Sequence, residues 1–334
     1  MKALLLQDKN KWTEMKVEEI EKPLPNKGEV VVEVHAVGLN PVDYKTATNG
    51  NPHWTYPHIL GLDVAGTIDE VGEGVVDWKK GDRVVYHGDF MKKGGYAEYA
   101  VTTAHSISRI PDAVTFEEAD AVTFEEAAAL PTAGYTAYET LFRKLPMNHI
   151  QTILIHGGAG GVGGFGVQLA KNAGKTVFST ASVHNHEYVK SLGADYVIDY
   201  REENVVEKVL ELTNGRGLDA VLDTVSAKNA TDSLDMIAYR GHLAHIAGAP
   251  DYTKVKPFTK VISYHEVALN AAHHIDDMIA QADLAKMGDE LLALVAEKKV
   301  APMIERIISL KEVPSALEEL SKRHVKGKII AKVK

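Results

Sequence analysis

The chain has no cysteine among its 334 residues. That absence excludes disulfides, thiolate nucleophiles and every zinc site that needs a cysteine ligand. Positive charge is also in short supply: 37 lysines and arginines stand against 46 aspartates and glutamates, a net charge of −9. A surface this acidic repels phosphate backbones, so nucleic acid is not expected as a main partner. Long apolar runs are missing as well. The only early one, Ala3–Leu6, is too short for a signal-peptide core or a membrane span. A cytoplasmic protein with no membrane partner is therefore expected. The length is too great for one small core and suggests two domains.

What is present falls into two rhythms. In the first hundred residues KALLL, EVVVEVHAVGL, DVAGTIDEVG, DRVVYH and YAEYAV are β-rich and are separated by turns such as PLPNKGE and KKGD. They predict a barrel or sandwich. After residue 150, TILIH, TVFSTA, ADYVID, LDAVLDTV and HLAHIAG alternate with helix-like stretches such as ENVVEKVLELTN. That alternation predicts βαβ units and a parallel sheet. From about residue 276 amphipathic helices are followed by IERIISL and GKIIAKV, a β ending expected to return to the first domain. Between the rhythms DAVTFEEA occurs twice in succession, at 112–119 and 120–127. Thr115 and Thr123 each precede an FEEA helix start, as N-caps do. A tandem insertion in a surface segment is the plain reading.

The stretch HGGAGGVGGFGVQLAKNAG, from His156 to Gly174, matches G-x-G-x-x-G in two registers. In a dinucleotide-binding turn the first glycine lies just beyond the strand, the second admits the pyrophosphate and the third lets helix and strand pack closely. Gly158 lies two residues beyond His156, whereas Gly161 would require a longer loop. With a helix starting near Gly161, Val162, Phe165, Gly166, Leu169, Ala170 and Ala173 share one face. The pyrophosphate is thus assigned to Gly158, Gly160, Gly161, Val162 and Gly163, and Gly166 is read as a packing residue. Glycine costs a helix interior roughly 0.8–1 kcal/mol relative to alanine, so this helix depends on packing and on an anion at its N-terminus. NAD sites usually carry an acid about 20 residues after the glycines, bonded to the ribose 2′-OH. Here Thr180, Ala181 and Ser182 occupy that place, with His184 close by. No carboxylate repels a 2′-phosphate and Ser182 can donate to it, so NADPH is the expected cofactor.

The order of motifs resembles the medium-chain dehydrogenase/reductase superfamily, in its zinc-independent quinone oxidoreductase (zeta-crystallin-like) branch. The resemblance rests on GEVVVEVHAVGLNPVDYK at 28–45, ILGLDVAGTIDEVGEGV at 59–75, KKGDRVVYH at 79–87 and GGYAEYAV at 94–101. AAALPTAGYTAYETL at 127–141, the glycine stretch with LGADYVIDYREE, and the terminal GKIIAKV complete it. It implies an α/β protein whose doubly wound Rossmann sheet, 134–270, is inserted in a chaperonin-10-like (GroES-like) β-rich catalytic domain made of 1–133 and 271–334. Zinc alcohol dehydrogenases of the superfamily place a cysteine in the segment matching GLNPVDYK and a histidine in a GHE. Asn40 and Leu62-Asp63 stand in those segments here, so no metal is expected. The histidine pairs His184/His186, His242/His245 and His273/His274 have no converging soft ligands.

Without a Lewis acid, alcohol oxidation loses its usual driving device, and hydride delivery to a quinone or an α,β-unsaturated carbonyl is the simpler chemistry. The protein's share is orientation, water exclusion and donors to the developing oxyanion. By the resemblance, Asn40 offers its amide to the acceptor carbonyl or the nicotinamide ribose, Asp43 braces the same motif, and Thr136 lies near the nicotinamide ring. Tyr200 in IDYREE faces the adenosine phosphate, and Arg323 reaches the same phosphate, with Lys326 and Lys328 in competition. Family members carry a substrate-lining tyrosine in a G-x-Y-P context; the loop TNGNPHWTYPHILG displaces it to Tyr56 and adds His53 and Trp54. The proton donor is left open among Tyr44, Tyr56 and solvent, while Trp54 shapes an apolar acceptor pocket. Two other readings stand beside this one: an enoyl-thioester reductase, and a non-catalytic NADPH- or RNA-binding crystallin-like protein, the RNA role opposed by the net charge. A homodimer or homotetramer is implied.

Overall fold

The computed structural model describes residues 1–111, 122–275, 277–323 and 325–334. The chain forms two compact units, one from Met1–Tyr135 with Leu269–Lys334 and the other from Thr136–Ala268. The first copy of DAVTFEEA, with Thr115, lies outside the described residues. In the second copy Thr123 caps the helix Phe124–Ala128: its Oγ1 accepts from Glu126 N at 3.1 Å, and Glu126 Oε2 accepts from Thr123 N at 2.8 Å.

The first unit is built on the strand Glu29–Gly38, whose valines alternate sides and are buried on both. It pairs antiparallel with Asp63–Val71, with Tyr99–Thr103 and with the C-terminal strand Lys328–Lys332. Strand Ile304–Ser309 extends the sheet beside Lys328–Lys332, and Arg83–His87 and Ser108–Arg109 extend it beyond Asp63–Val71. The tail therefore returns to the first unit. Val30, Val32, Val34, Val37, Val84 and Leu317 are fully sealed in one core, each such side chain contributing about 1.5–3 kcal/mol. Gly38 closes the central strand where no larger residue fits, because a Cβ there would strike the Ala128 carbonyl. Leu39, Asn40 and Pro41 then turn the chain into the helix Pro41–Asn49, with proline in its first turn.

The second unit carries, among its described residues, a six-stranded parallel sheet. Its order in space is Tyr196–Ile198, Thr176–Thr180, Thr152–Ile155, Leu218–Asp223, Ile237–His245 and Ser263–Glu266. Numbered along the chain this is 3-2-1-4-5-6, the doubly wound arrangement whose direction reverses beside its first strand. Two strands differ from the sequence reading. The segment read as HLAHIAG is the second half of a strand that starts at Ile237, because Arg240 at φ 61 and Gly241 interrupt the apolar pattern without ending the pairing. The edge strand Ser263–Glu266 carries mostly polar residues and gave no apolar signal. The helix Gly161–Asn172 also departs from a simple stripe, since every residue from Gly163 to Ala170 is buried. Among the described residues no helix is long and apolar enough to cross a membrane.

Candidate active site

The glycine turn begins where Thr152–Ile155 delivers His156 into the interior. His156 is sealed between Thr180 Oγ1, 3.2 Å from its Nδ1, and Ser233 Oγ, 3.0 Å from its Nε2, and burial pushes its pKa down to about 4. It is a neutral anchor for the turn. Gly157 follows at φ +69 and donates its N–H to Thr180 Oγ1, and Gly158 N donates to the Thr180 carbonyl. A Cβ on Gly163 would strike the Gly157 carbonyl, and one on Gly158 would strike Ser179 Oγ. Gly160 is different: the nearest atom to its Cβ position is the Gly157 carbonyl at 3.4 Å. The protein interior demands glycine at 158 and 163, whereas at 160 the space is left open.

Gly160 is the N-cap of the helix Gly161–Asn172, and that helix starts with no side-chain cap and no acid in its first turn. Its leading N–H groups and positive dipole end are thus unopposed, which suits a pyrophosphate. Gly166 sits further on, its Cβ position 3.3 Å from Ile155 Cδ1 and 3.5 Å from Leu222 Cδ2, in packing contact with the sheet. At the end of the second strand Ser182 is buried, with its Oγ 3.3 Å from His184 Nε2. One acid did escape the sequence reading. Asp199, beyond the strand Tyr196–Ile198, accepts from Val183 N at 3.2 Å and from Arg201 N at 3.0 Å, so it braces the Ser182 loop. Its only signal was an aspartate closing the third strand. Tyr200 beside it is half exposed, with the Arg201 guanidinium 5.8 Å from its ring centre. Thr136 is buried at the start of a short helix, its carbonyl accepting from Thr140 Oγ1 at 2.7 Å.

In the first unit, the corner after Glu29–Gly38 gathers a closed polar cluster. Asn40 Nδ2 donates to Asp63 Oδ2 at 2.8 Å, and Asn40 Oδ1 accepts from Lys328 Nζ at 2.6 Å. The same ammonium donates to the Leu39 carbonyl at 3.2 Å and to Asp63 Oδ2 at 3.1 Å. Asp63 Oδ1 accepts from Thr132 N at 2.8 Å and Thr132 Oγ1 at 2.5 Å. This corrects two expectations. Both ends of the Asn40 amide are committed inside the protein, so it has no donor left for an acceptor carbonyl. Lys328 is sealed, so it does not compete for a phosphate. Arg323 is exposed at φ 59, its charge helping burial to depress the nearby Lys45 ammonium.

Asp43, three residues after Asn40, is buried on the helix Pro41–Asn49 and accepts from Asn40 N at 2.8 Å and from Tyr96 Oη at 2.9 Å. It also lines a narrow recess, open at its mouth and with enclosed space of only about 10 Å³, together with Thr46, Trp54, His58, Leu62 and Phe90. Trp54 stacks on His58 at 4.1 Å and its indole N–H donates to the Phe90 carbonyl at 2.5 Å, which fixes one wall. Burial holds His58 neutral, its pKa lowered to about 4. Trp54 is thus part of an apolar, aromatic wall, and neither Tyr44 nor Tyr56 lines that recess. Tyr44 lies against Trp12, 5.8 Å between rings. Tyr56 is 36% exposed, beside Gly50 and Asp8.

A nicotinamide-dinucleotide turn on a 3-2-1-4-5-6 sheet and a β-rich unit assembled from both chain ends define an oxidoreductase of the medium-chain dehydrogenase/reductase class. Comparison with known proteins agrees. Residues 26–112 match the alcohol dehydrogenase GroES-like domain, and residues 192–330 match the zinc-binding dehydrogenase model. A trans-enoyl reductase of Alternaria alternata is 31% identical, covering 99% of this chain and 98% of its own. A quinone oxidoreductase of Sus scrofa is 29% identical over 92% and 90% of the two chains. Among solved structures, the quinone oxidoreductase of Coxiella burnetii superposes at a TM-score of 0.83 with 30% identity, covering 100% of this chain and 99% of that one. The chain belongs to the zinc-independent, quinone oxidoreductase-like branch of the medium-chain dehydrogenase/reductase family.

Zinc itself does not fit. The ammonium of Lys328 already sits between Asn40 and Asp63, and among the described residues no three His, Asp or Glu converge as ligands. A nicotinamide dinucleotide does fit, on the uncapped helix end and the space left at Gly160.

Proposed function

We propose that the protein reduces a quinone or an α,β-unsaturated carbonyl with NADPH and without a metal. The observation that carries this is the Lys328 ammonium bound to Asn40, Leu39 and Asp63, a fixed internal cation with every proton committed. The chain has no device there to acidify an alcohol, so an acceptor that is already electrophilic is needed. A bound nicotinamide supplies the hydride. Gly158, Gly160, Gly161, Val162 and Gly163 hold the pyrophosphate, and Ser182 donates to the 2′-phosphate, with Tyr200 and Arg323 as further phosphate contacts. Thr136 positions the nicotinamide. Trp54 and Phe90, at the mouth of the narrow recess, give the flat acceptor an apolar wall to lie against.

Steady-state NADPH oxidation with a panel of quinones and enones tests the reading. Turnover with at least one class is expected; tight NADPH binding with no turnover on any acceptor overturns it. Replacing Ser182→Asp should lower the preference for NADPH over NADH by at least about tenfold, or 1.4 kcal/mol, through like-charge repulsion. A second reading, reduction of an enoyl thioester, is favoured by the near full-length likeness to a trans-enoyl reductase. Comparing an enoyl-CoA with the matching simple enone separates the two. The family resemblance also supports a cytoplasmic homodimer or homotetramer.

A further inference from the structure

The sequence left the proton donor open, and the two candidate tyrosines do not line the recess. Asp43 does. It is 3% exposed, and both hydrogen bonds described for its carboxylate fall on one oxygen, Oδ2, from Asn40 N and Tyr96 Oη. Oδ1 takes neither of them. It is also not among the sealed polar atoms that lack a partner, which among the described residues are Tyr86 Oη, His87 Nδ1, Tyr135 Oη and His273 Nε2. The carboxylate is thus pinned through Oδ2, and Oδ1 is the oxygen left to the recess that Asp43 lines.

Resting on the reading of a reductase, we propose that Asp43 is its general acid, delivering a proton from Oδ1 to the reduced acceptor at the mouth of the recess. For an enone the balance is simple. A hydride adds to the β-carbon, the alkene pair moves into an enolate, the Asp43 O–H bond breaks and its proton goes to the α-carbon. The carboxylate is then reprotonated from solvent, so one hydride and one proton are consumed per saturated carbonyl formed. A quinone is served the same way, the proton going to the quinol oxygen.

The surroundings make a proton available near neutral pH. Burial is the main influence and pushes the Asp43 pKa up to about 7; the donors from Asn40 and Tyr96 oppose it, the Asp63 charge adds to it and the Lys328 charge subtracts. Lys328 neutralises Asp63 rather than Asp43, so Asp43 has no cation of its own. The other titratable groups on the recess are His58, held neutral, and Lys92, which is paired with Glu29. A pKa near the working pH is what general acid catalysis favours.

The decisive comparison uses wild type, Asp43→Asn and Tyr96→Phe. Asp43→Asn retains an oxygen to accept from Asn40 and Tyr96 but has no acidic proton. We expect its kcat on the best acceptor to fall at least 100-fold, with the dissociation constant for NADPH unchanged. Tyr96→Phe removes a donor that favours the carboxylate, so the alkaline limb of kcat should move to higher pH by half a unit or more. In the cofactor-free protein the ¹³C carboxyl resonance lost in Asp43→Asn should titrate near neutrality, and the same shift should appear in Tyr96→Phe. With an α-substituted enone in D₂O, wild type should place deuterium on one face only. Full activity and an unchanged pH profile in Asp43→Asn, or a resonance that titrates near pH 4, overturns the assignment while leaving the reductase reading intact. Absence of turnover by wild type on every acceptor overturns the reductase reading, and the assignment with it.

Discussion

Two corners of this chain share one plan, in which a β-strand turns sharply into the N-terminus of a helix. At Gly38–Pro41 the corner is closed from within. Proline occupies the first turn, the Asp43 carboxylate accepts from Asn40 N, and the Asn40 amide is spent on Asp63 and Lys328. At His156–Gly161 the corner is left open: the cap is glycine, no side chain satisfies the first amides, and no acid stands in the first turn. A helix end must find partners for its leading N–H groups. The first corner spends its polar groups inside the protein, and the second leaves its first amides without a side-chain cap, as the proposed pyrophosphate contact requires.

The largest effect is expected where the closed corner is broken. Lys328→Met leaves the sealed Asp63 without its cation, and removing one partner of a buried pair typically costs about 3–5 kcal/mol. Thermal or urea unfolding should show that loss, and the added Asp63→Asn should recover most of it, because no charge then remains uncompensated. An unfolding midpoint that ignores Lys328→Met would mean the cluster does not hold the corner. In the open corner the contrast lies between two glycines. Gly163→Ala must displace the Gly157 carbonyl, so NADPH affinity should fall at least about 100-fold, or 2.7 kcal/mol, with some loss of stability. Gly160→Ala fits the unliganded protein, its Cβ no closer than 3.4 Å to any neighbour, so only binding should suffer. Calorimetric titration with NADPH and unfolding curves on both variants decide this; equal destabilisation would show that Gly160 serves the fold rather than the ligand.

The smallest effect is in pH. Burial pushes His58, His87 and His156 down to about 4. Below an unfolded pKa near 6.5 the unfolded chain takes up protons that the folded one refuses, so stability falls as pH drops from about 6.5 towards 4. Asp43 acts in the opposite sense: its pKa is raised from 3.8 to about 7, so its contribution is present below pH 4 and lost as pH rises to 7. Three groups against one predict a net loss on the order of 2 kcal/mol between pH 6.5 and 5. Asp43→Asn should steepen that fall and should be the more stable form at pH 8. Melting temperatures across this range that are flat for both proteins would contradict the burial of these groups.

The geometry of the open corner was legible in the sequence because it is written in backbone freedom. Gly158 had to follow the strand by two residues, and apolar spacing from Val162 fixed the helix phase, both local relations. Thr123 was legible for the same reason, a cap and its acid three residues apart. The closed corner was not. Asn40 and Asp43 drew notice, yet the partners that define them, Asp63, Tyr96, Thr132 and Lys328, lie up to 288 residues away. With no spacing rule linking such positions, the sequence alone allows Asn40 as a donor to the acceptor and Lys328 as a competitor with Arg323 for the phosphate. Asp199 was passed over likewise, since the loop it braces belongs to a neighbouring strand.

The sequence by itself therefore determined the class: a β-rich unit closed by the chain's own tail, a parallel sheet of βαβ units and a chain without cysteine, all local patterns or plain omissions. Tertiary structure alone decided which polar groups are spent and which are left. Whether Asn40, Asp43 and Lys328 can serve a substrate depends on who neutralises whom inside a sealed volume. That is a matter of distance in space, which the order of residues does not carry.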